Sequence, residues 1–132
     1  MKTLIAVMVF AISTSAFAGE CVNKKGEDIY NQPDVFQALI EQSASCFEAK
    51  GLAEACAYGS SLDVSSAGAA YAVCQKELAQ QKPAATLNKT LANMVSLCNK
   101  KYRNEEGTMY RSMNAFCNLS AIEWILGLAT PN

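Results

Sequence analysis

The stretch CNKKYRNEEGTMYRSMNAFC, residues 98–117, decides how this chain folds. It carries one cysteine at each end and a polar turn around Gly107, nine residues after Cys98 and ten before Cys117. Two antiparallel helices joined at such a turn bring both cysteines to the same height, where their sulfur atoms can bond. The spacing therefore predicts a helical hairpin closed by a disulfide.

Outward from this hairpin, apolar residues recur at three- and four-residue spacing, and strand-like alternation is nowhere sustained. Upstream, a helix is expected to begin at Pro33 and to end at Gly51, with two further turns over residues 52–58. Residues 19–32 are polar and are expected to form an extended arm. The fold class is therefore all-α, a small helical bundle of four to five helices built from two disulfide-stapled helical hairpins.

The remaining helix starts are predicted from capping residues. Asp63 or Ser65 is expected to cap the middle helix. Pro83 is expected to open the next helix, and Thr108 to cap the last one. The apolar stripes of these helices are expected to form the core. That core is predicted to include the single tryptophan and three methionines, which are Trp124, Met94, Met109 and Met113.

Six cysteines allow 15 pairings, and hairpin geometry narrows them. Cys46 and Cys74 lie symmetrically about a serine-rich turn, which predicts a second stapled hairpin. That pairing leaves Cys21 to bond Cys56. The short segment over residues 52–58 can displace a partner of either pair, so both of these pairings remain open to exchange.

The cysteines are expected to be structural and not metal ligands. The chain contains no CxxC pair and no histidine, so zinc or iron would need thiolates scattered along its whole length. A disulfide that closes a loop of this size stabilises a fold by roughly 2–4 kcal/mol, mostly by restricting the unfolded chain. No cofactor is expected.

The first 18 residues fit a secretory signal peptide. Lys2 provides the positive start, and residues 4–12 form an apolar run that is too short to span a bilayer. Residues 16–18, Ala-Phe-Ala, form a small-x-small cleavage site. The six cysteines agree with export, because disulfides form and persist outside the reducing cytosol.

Cleavage after Ala18 leaves residues 19–132, a length typical of one domain, in the periplasm or the secreted fraction. A lipoprotein signal is the alternative interpretation, because Cys21 follows closely. The charged Glu20 disfavours it, since a lipid-modified cysteine needs small residues just before it. No second long apolar stretch occurs, so stable membrane insertion is not expected.

The charge of the mature chain is unevenly distributed. Residues 19–81 carry 9 acidic and 4 basic side chains, net −5, whereas residues 82–132 carry 3 acidic and 6 basic ones, net +3. A total this close to neutral argues against nucleic acid as the main partner. The acidic half can attract a basic partner, and ordinary solvated helix faces are the alternative interpretation.

No arrangement of catalytic groups is marked in the chain, and an enzyme is not expected. Histidine is absent, and no obvious base lies near the serines. Glu105 and Glu106 are adjacent, so they are interpreted as a solvated turn and not as a carboxylate pair in a cleft. Lys100, Lys101 and Arg103 lie at the end of a predicted helix, where cations favour the helix dipole.

The segment from Cys98 onward resembles the LprI-type family of bacterial lysozyme inhibitors. Members of that family carry a cysteine, a Glu-Gly-Gly-Thr-like turn and a second cysteine. Here these features are Cys98, Glu-Gly-Thr at 106–108 and Cys117, and the Leu-Asn pair at 87–88 echoes the family's pair before its long helix. Residues 91–97 lack the tryptophan and the Arg-Asp of the family, and the lipobox of some members is missing.

The resemblance implies a helical envelope protein that binds and blocks lysozyme. Lysozymes are commonly basic with an acidic catalytic cleft, so the acidic half would steer approach while Lys101 or Arg103 engages the cleft carboxylates. The turn that holds Glu105 and Glu106 is the first candidate interface. The alternative function is a carrier that holds a small apolar ligand between its helices.

Overall fold

The computed structural model describes residues 20–129, which form five α-helices and no strand. The helices are α1 (Pro33–Glu41), α2 (Cys46–Ala55), α3 (Ser61–Leu78), α4 (Ala84–Tyr102) and α5 (Thr108–Ala129). The prediction of a small all-α bundle with disulfide staples is confirmed. The predicted signal peptide, residues 1–18, lies outside the described residues. None of the described helices is both long and apolar enough to cross a membrane.

Residues 20–32 form a closed loop and not the extended arm that their polarity predicts. The side-chain Oδ1 of Asn23 accepts hydrogen bonds from the backbone N–H groups of Lys25 at 2.9 Å and Glu27 at 3.1 Å, which folds the loop back on itself. Just after this turn, Ile29 is fully buried in the core. These local hydrogen bonds between backbone N–H groups and the Asn23 side chain therefore fold a polar segment against the bundle.

The prediction of one helix from Pro33 to Gly51 is wrong, because the helical structure is interrupted between α1 and α2. Ser45 caps α2 by accepting a hydrogen bond from the N–H of Glu48 at 3.2 Å. The Glu48 carboxylate in turn accepts from the N–H of Ala44 at 2.9 Å. This reciprocal cap is a strong helix start and outweighs the continuous apolar spacing. Gly51 lies inside α2 and does not end a helix.

The other helix starts also shift from their expected positions. Ser60 is the N-cap of α3 and Asp63 lies in the first turn, whereas the Ser65 hydroxyl donates to a carbonyl within the helix at 2.8 Å. Thr108 is the first residue of α5 and not its cap. Gly107 precedes it with φ at 107°, a conformation that glycine adopts without strain.

Asp63 is only 1% exposed and joins α3 to α5. Its carboxylate accepts hydrogen bonds from the N–H groups of Tyr58 (3.2 Å), Gly59 (2.7 Å) and Ser60 (3.2 Å), and from the hydroxyls of Ser60 (3.1 Å) and Ser112 (2.6 Å). Burial by itself would raise the pKa of Asp63. The donors, led by Ser112, outweigh burial and hold that pKa below its ordinary value.

α3 and α5 form the centre of the bundle. α3 packs against α1, α2 and α5, whereas α4 packs mainly against α5. The largest apolar side chains that are fully buried are Phe36, Ile29, Ile40, Leu78, Leu119, Ile122 and Ile125. α4 contributes none of these, and its buried residues are Leu91 and Cys98. The fourth helix is therefore the one least embedded in the core.

Three disulfides form in the predicted pairs: two follow from hairpin geometry and join helices, and the third, assigned by elimination, joins the N-terminal loop to the residue after α2. They are Cys21–Cys56, Cys46–Cys74 and Cys98–Cys117, with Cα atoms 4.7, 4.4 and 5.8 Å apart. The exchange of partners within residues 52–58 does not occur. Among the described residues no cysteine is free. Three disulfides are consistent with an exported protein.

An ion-pair bridge adds a second link to α5. The Lys50 ammonium lies 3.0 Å from a carboxylate oxygen of Glu54 and 2.9 Å from one of Glu123. Burial lowers the pKa of Lys50, but the hydrogen bonds from the ammonium to the two carboxylates outweigh burial and raise that pKa above its ordinary value. Because Lys50 belongs to α2 and Glu123 to α5, this ion pair holds α2 against α5.

Candidate binding groove between α4 and α5

The prediction that Trp124, Met109 and Met113 lie in the core is wrong, because all three side chains are exposed. Met94 is partly buried and packs against the core. α5 carries apolar residues on more than one face, and only one face can point inward. Trp124 and its neighbour Ile125 project about 100° apart on a helix, so burial of Ile125 leaves Trp124 outside.

An open apolar groove of about 450 Å³ runs between α4 and α5. Its lining residues are Met94, Leu97, Cys98, Lys101, Cys117, Ser120, Ala121 and Trp124. The disulfide Cys98–Cys117 crosses from one helix to the other, so the walls of the groove are covalently joined. The position of the groove is thus a direct consequence of the stapled hairpin.

The rims of the groove carry large exposed apolar side chains. Leu97 on α4 is 67% exposed and Trp124 on α5 is 55% exposed. Leu128, one turn beyond Trp124, is also exposed and continues the same stripe on α5. These three side chains form an exposed apolar surface beside the groove, whereas scattered apolar residues on a surface are ordinary.

One cation lies at the groove. Lys101 lines it at the end nearest the α4–α5 turn, and its ammonium lies 5.1 Å from the centroid of the Tyr102 ring. None of the ion pairs in the described part of the chain involves Lys101. The groove surface is therefore apolar, and Lys101, which contributes to its lining, forms no ion pair within residues 20–129.

Of the four predicted partner-binding residues, the structure brings only Lys101 to the groove. Arg103, Glu105 and Glu106 are exposed beyond the C-terminal end of α4, in the turn before α5. They lie at the Lys101 end of the hairpin, but they do not line the groove. The sequence does not mark Leu97 and Trp124 as exposed residues of a groove, because apolar periodicity alone does not tell a buried stripe from an exposed one.

The opposite side of the α4–α5 hairpin carries a small polar cluster. The Asn99 side-chain oxygen accepts hydrogen bonds from the amide groups of Asn114 at 3.0 Å and Asn118 at 3.5 Å. The side-chain oxygens of Asn114 and Asn118 are buried without a partner. Away from the groove, the hairpin therefore combines this asparagine cluster with apolar side chains such as Val95 and Ala115, which pack against the core.

Metal-binding chemistry finds no support in the described residues. Within residues 20–129, no group of three or more histidine, cysteine, aspartate or glutamate side chains is placed to hold an ion. The carboxylate of Asp63, whose pKa is lowered, accepts hydrogen bonds from several donors and does not line the groove. The groove lining is mainly apolar, and the sulfur-containing groups in it are Met94 and the disulfide-bonded Cys98 and Cys117.

Comparison with known proteins adds no assignment. No family model matches the chain, no curated protein matches it, and no solved structure matches it.

Proposed function

We propose that this chain is an exported protein-binding module and that the α4–α5 groove is its binding surface. The observation that carries the proposal is the exposed pair Leu97 and Trp124, which flank an apolar groove on a disulfide-stapled hairpin. Tryptophan is the residue most enriched among the anchors of protein interfaces. A stapled hairpin also keeps such anchors in place, which lowers the entropy lost on binding.

The charge at the groove indicates the chemistry of the partner. Lys101 lacks a carboxylate partner within residues 20–129 and lies beside the apolar lining. The surrounding residues 82–132 carry a net charge of +3 from 6 basic and 3 acidic side chains. The groove therefore suits a partner segment that presents an apolar side chain next to a carboxylate.

The specific form of the proposal is lysozyme inhibition, which the resemblance of residues 98–124 motivates. A lysozyme offers an acidic cleft for Lys101, and its basic outer surface complements residues 19–81, whose 9 acidic and 4 basic side chains give a net charge of −5. In this arrangement the acidic half of the chain accelerates association. The groove supplies the affinity.

The test is a lysis assay in which the mature protein, residues 19–132, is added to bacterial cell walls and a basic lysozyme. We expect the mature protein to slow lysis, and the Trp124→Ala variant to need about 30-fold more protein for the same effect, which equals about 2 kcal/mol of binding. Higher salt should weaken inhibition, because screening shortens charge interactions to a few ångströms.

Phe47→Ala is the matched control. Phe47 is 77% exposed on α2, so it is an exposed aromatic side chain away from the groove. Its loss should leave inhibition unchanged. Equal losses in Trp124→Ala and Phe47→Ala would remove the groove from the proposal. No inhibition by the mature protein at micromolar concentration against several lysozymes would remove lysozyme as the partner.

A carrier of a small apolar ligand is the second candidate, and the groove volume favours it. About 450 Å³ lies within the range of small-molecule sites, and the lining is apolar. The groove is open to solvent, whereas small-molecule sites usually enclose most of their ligand. Titration with a fluorescent fatty acid separates the two functions: the carrier predicts saturable binding that Trp124→Ala abolishes, and the protein-binding module predicts none.

A further inference from the structure

The floor of the groove is an accessible disulfide. Both Cys98 and Cys117 line the groove; Cys98 is buried, with 6% of its surface exposed, and Cys117 is partly exposed. The four cysteines of the other two disulfides are all buried; they are Cys21, Cys46, Cys56 and Cys74. A thiol that enters the groove can therefore approach Cys117 in the folded protein, whereas both cysteines of each of the other two disulfides are buried.

We propose that the Cys98–Cys117 disulfide is a site of thiol–disulfide exchange with an exported protein dithiol, and that α4 stays docked only while this bond is intact. The proposal rests on the geometry of the groove and does not require the binding function proposed above. It assigns the groove a second class of partner, a protein that carries two reduced thiols close together.

The exchange balances as two successive displacements at sulfur. A thiolate of the dithiol attacks Sγ of Cys117, the more exposed cysteine, and the Cys98–Cys117 bond breaks with its electron pair on Sγ of Cys98, which takes up a proton. The second thiol of the partner loses its proton and attacks the partner's first sulfur, which is bonded to Cys117 in the mixed disulfide. This step releases Cys117 as a thiolate, which is then protonated. The partner is oxidised to a disulfide and this chain is reduced to two thiols.

Lys101 lies within one helical turn of Cys98, and its ammonium lies over the Tyr102 ring. It lines the same groove as Cys98 and follows it by three residues on α4, so the two side chains share one face of the helix. An ammonium group near a leaving sulfur stabilises its thiolate form and speeds the displacement. Lys101 acts here through the leaving sulfur of Cys98 and does not itself react.

The packing of α4 gives the exchange a structural consequence. Its buried residues are Leu91 and Cys98, and it packs mainly against α5. Without the covalent link, α4 is held by one buried leucine, Leu91, and by the partly buried side chains of Leu87, Met94 and Val95. Reduction should therefore loosen α4 and leave the bundle of α1, α2, α3 and α5 folded.

The test treats the oxidised mature protein with dithiothreitol or with reduced thioredoxin in native buffer, traps thiols with an alkylating agent and maps them by mass spectrometry. We expect Cys98 and Cys117 to be alkylated about tenfold faster than the other four cysteines. That rate should be first order in the dithiol and insensitive to low urea, which marks attack on the folded state. Reduction of another pair first, or of all three at one rate, would overturn the proposal.

Two variants and one exchange measurement sharpen this test. Lys101→Gln should slow the reduction about threefold, whereas Lys89→Gln, which removes an exposed lysine of α4 outside the groove, should leave the rate unchanged. After selective reduction, amide hydrogen exchange should rise in α4 and stay slow in α3. Unchanged protection of α4 would contradict the docking claim. Lysis inhibition enters none of these readouts, so the failure of either proposal is distinguishable from the other.

Discussion

The α2–α3 hairpin and the α4–α5 hairpin share one plan, a disulfide between two antiparallel arms, yet they differ in what surrounds the bond. Cys46 and Cys74 are fully buried. Cys98 and Cys117 lie on the floor of an open groove flanked by exposed Leu97. The first staple is part of the core. The second fixes a surface that faces solvent.

The two hairpins also differ in charge. The α2–α3 hairpin belongs to the acidic residues 19–81, and it buries one carboxylate, that of Asp63, with a full set of hydrogen-bond donors. The α4–α5 hairpin belongs to the basic residues 82–132, and its Lys101 lacks a carboxylate partner among the described residues. A satisfied buried charge stabilises a fold, whereas an available charge beside apolar surface is suited to binding. The α2–α3 hairpin therefore stabilises the fold, and the α4–α5 hairpin is the one that we propose to bind a partner.

The largest expected effect is on the two staples themselves. Replacing Cys46 and Cys74 together with alanine should lower the free energy of unfolding by about 3–5 kcal/mol, because the unfolded chain gains freedom and the core gains a void. The same replacement at Cys98 and Cys117 should cost about 2–3 kcal/mol, since its surroundings are open. Urea denaturation at neutral pH measures both. Equal losses would break the distinction between a core staple and a surface staple.

The next effect concerns the buried carboxylate. Asp63→Ala should lower the free energy of unfolding by about 3 kcal/mol, because it leaves several buried N–H and O–H donors unpaired. Ser112→Ala removes one donor while the carboxylate keeps its others, so it should cost about 1 kcal/mol. The two values come from the same urea titration. A loss of less than about 1 kcal/mol in Asp63→Ala would show that the donors of this network find other partners.

The pH dependence of stability sharpens the role of Asp63 further. Its pKa is lower in the folded chain than in the unfolded one, so its stabilisation is complete above its ordinary pKa. That stabilisation is lost as the pH falls through the lowered pKa of the folded state. The thermal unfolding temperature should therefore fall more steeply between neutral and acid pH in the wild type than in Asp63→Asn. Parallel curves would contradict the assignment.

The smallest expected effect is at the turn. Replacing Glu105 and Glu106 with alanine should change the free energy of unfolding by no more than about 0.5 kcal/mol, because both side chains are exposed. Binding should change more than stability. Removal of two negative charges near Lys101 favours an acidic partner, so affinity at low salt should rise by about threefold. Loss of binding in this variant would instead make the turn a direct contact.

Much of this fold is predictable from sequence, because its strongest constraints are local. The spacing of Cys98 and Cys117 about Gly107 defines one hairpin without knowledge of the rest, and Cys46 with Cys74 defines the other. The interruption between α1 and α2 also has a local cause, the Ser45 cap of α2. The continuous apolar spacing across this segment gives no sign of it.

The parts that escaped prediction depend on residues far apart in sequence. The Asp63 carboxylate meets the Ser112 hydroxyl across 49 positions, and no local pattern marks that contact. The exposure of Trp124 depends on which face of α5 meets α3, and α5 is apolar on more than one face. The groove therefore becomes visible only when both helices are in place.

The most direct test of the central claim is the mapping of amide chemical shifts in the isotope-labelled, oxidised mature protein as a basic lysozyme is added. The account predicts shifts concentrated on the groove-lining segments 94–101 and 117–128, with few on α2 and α3. It also predicts that Trp124→Ala moves the midpoint of the titration to about 30-fold more lysozyme, while Phe47→Ala leaves the midpoint unchanged. Shifts centred on the α2–α3 hairpin, or an unchanged midpoint in Trp124→Ala, would contradict the assignment of the α4–α5 groove as the binding surface.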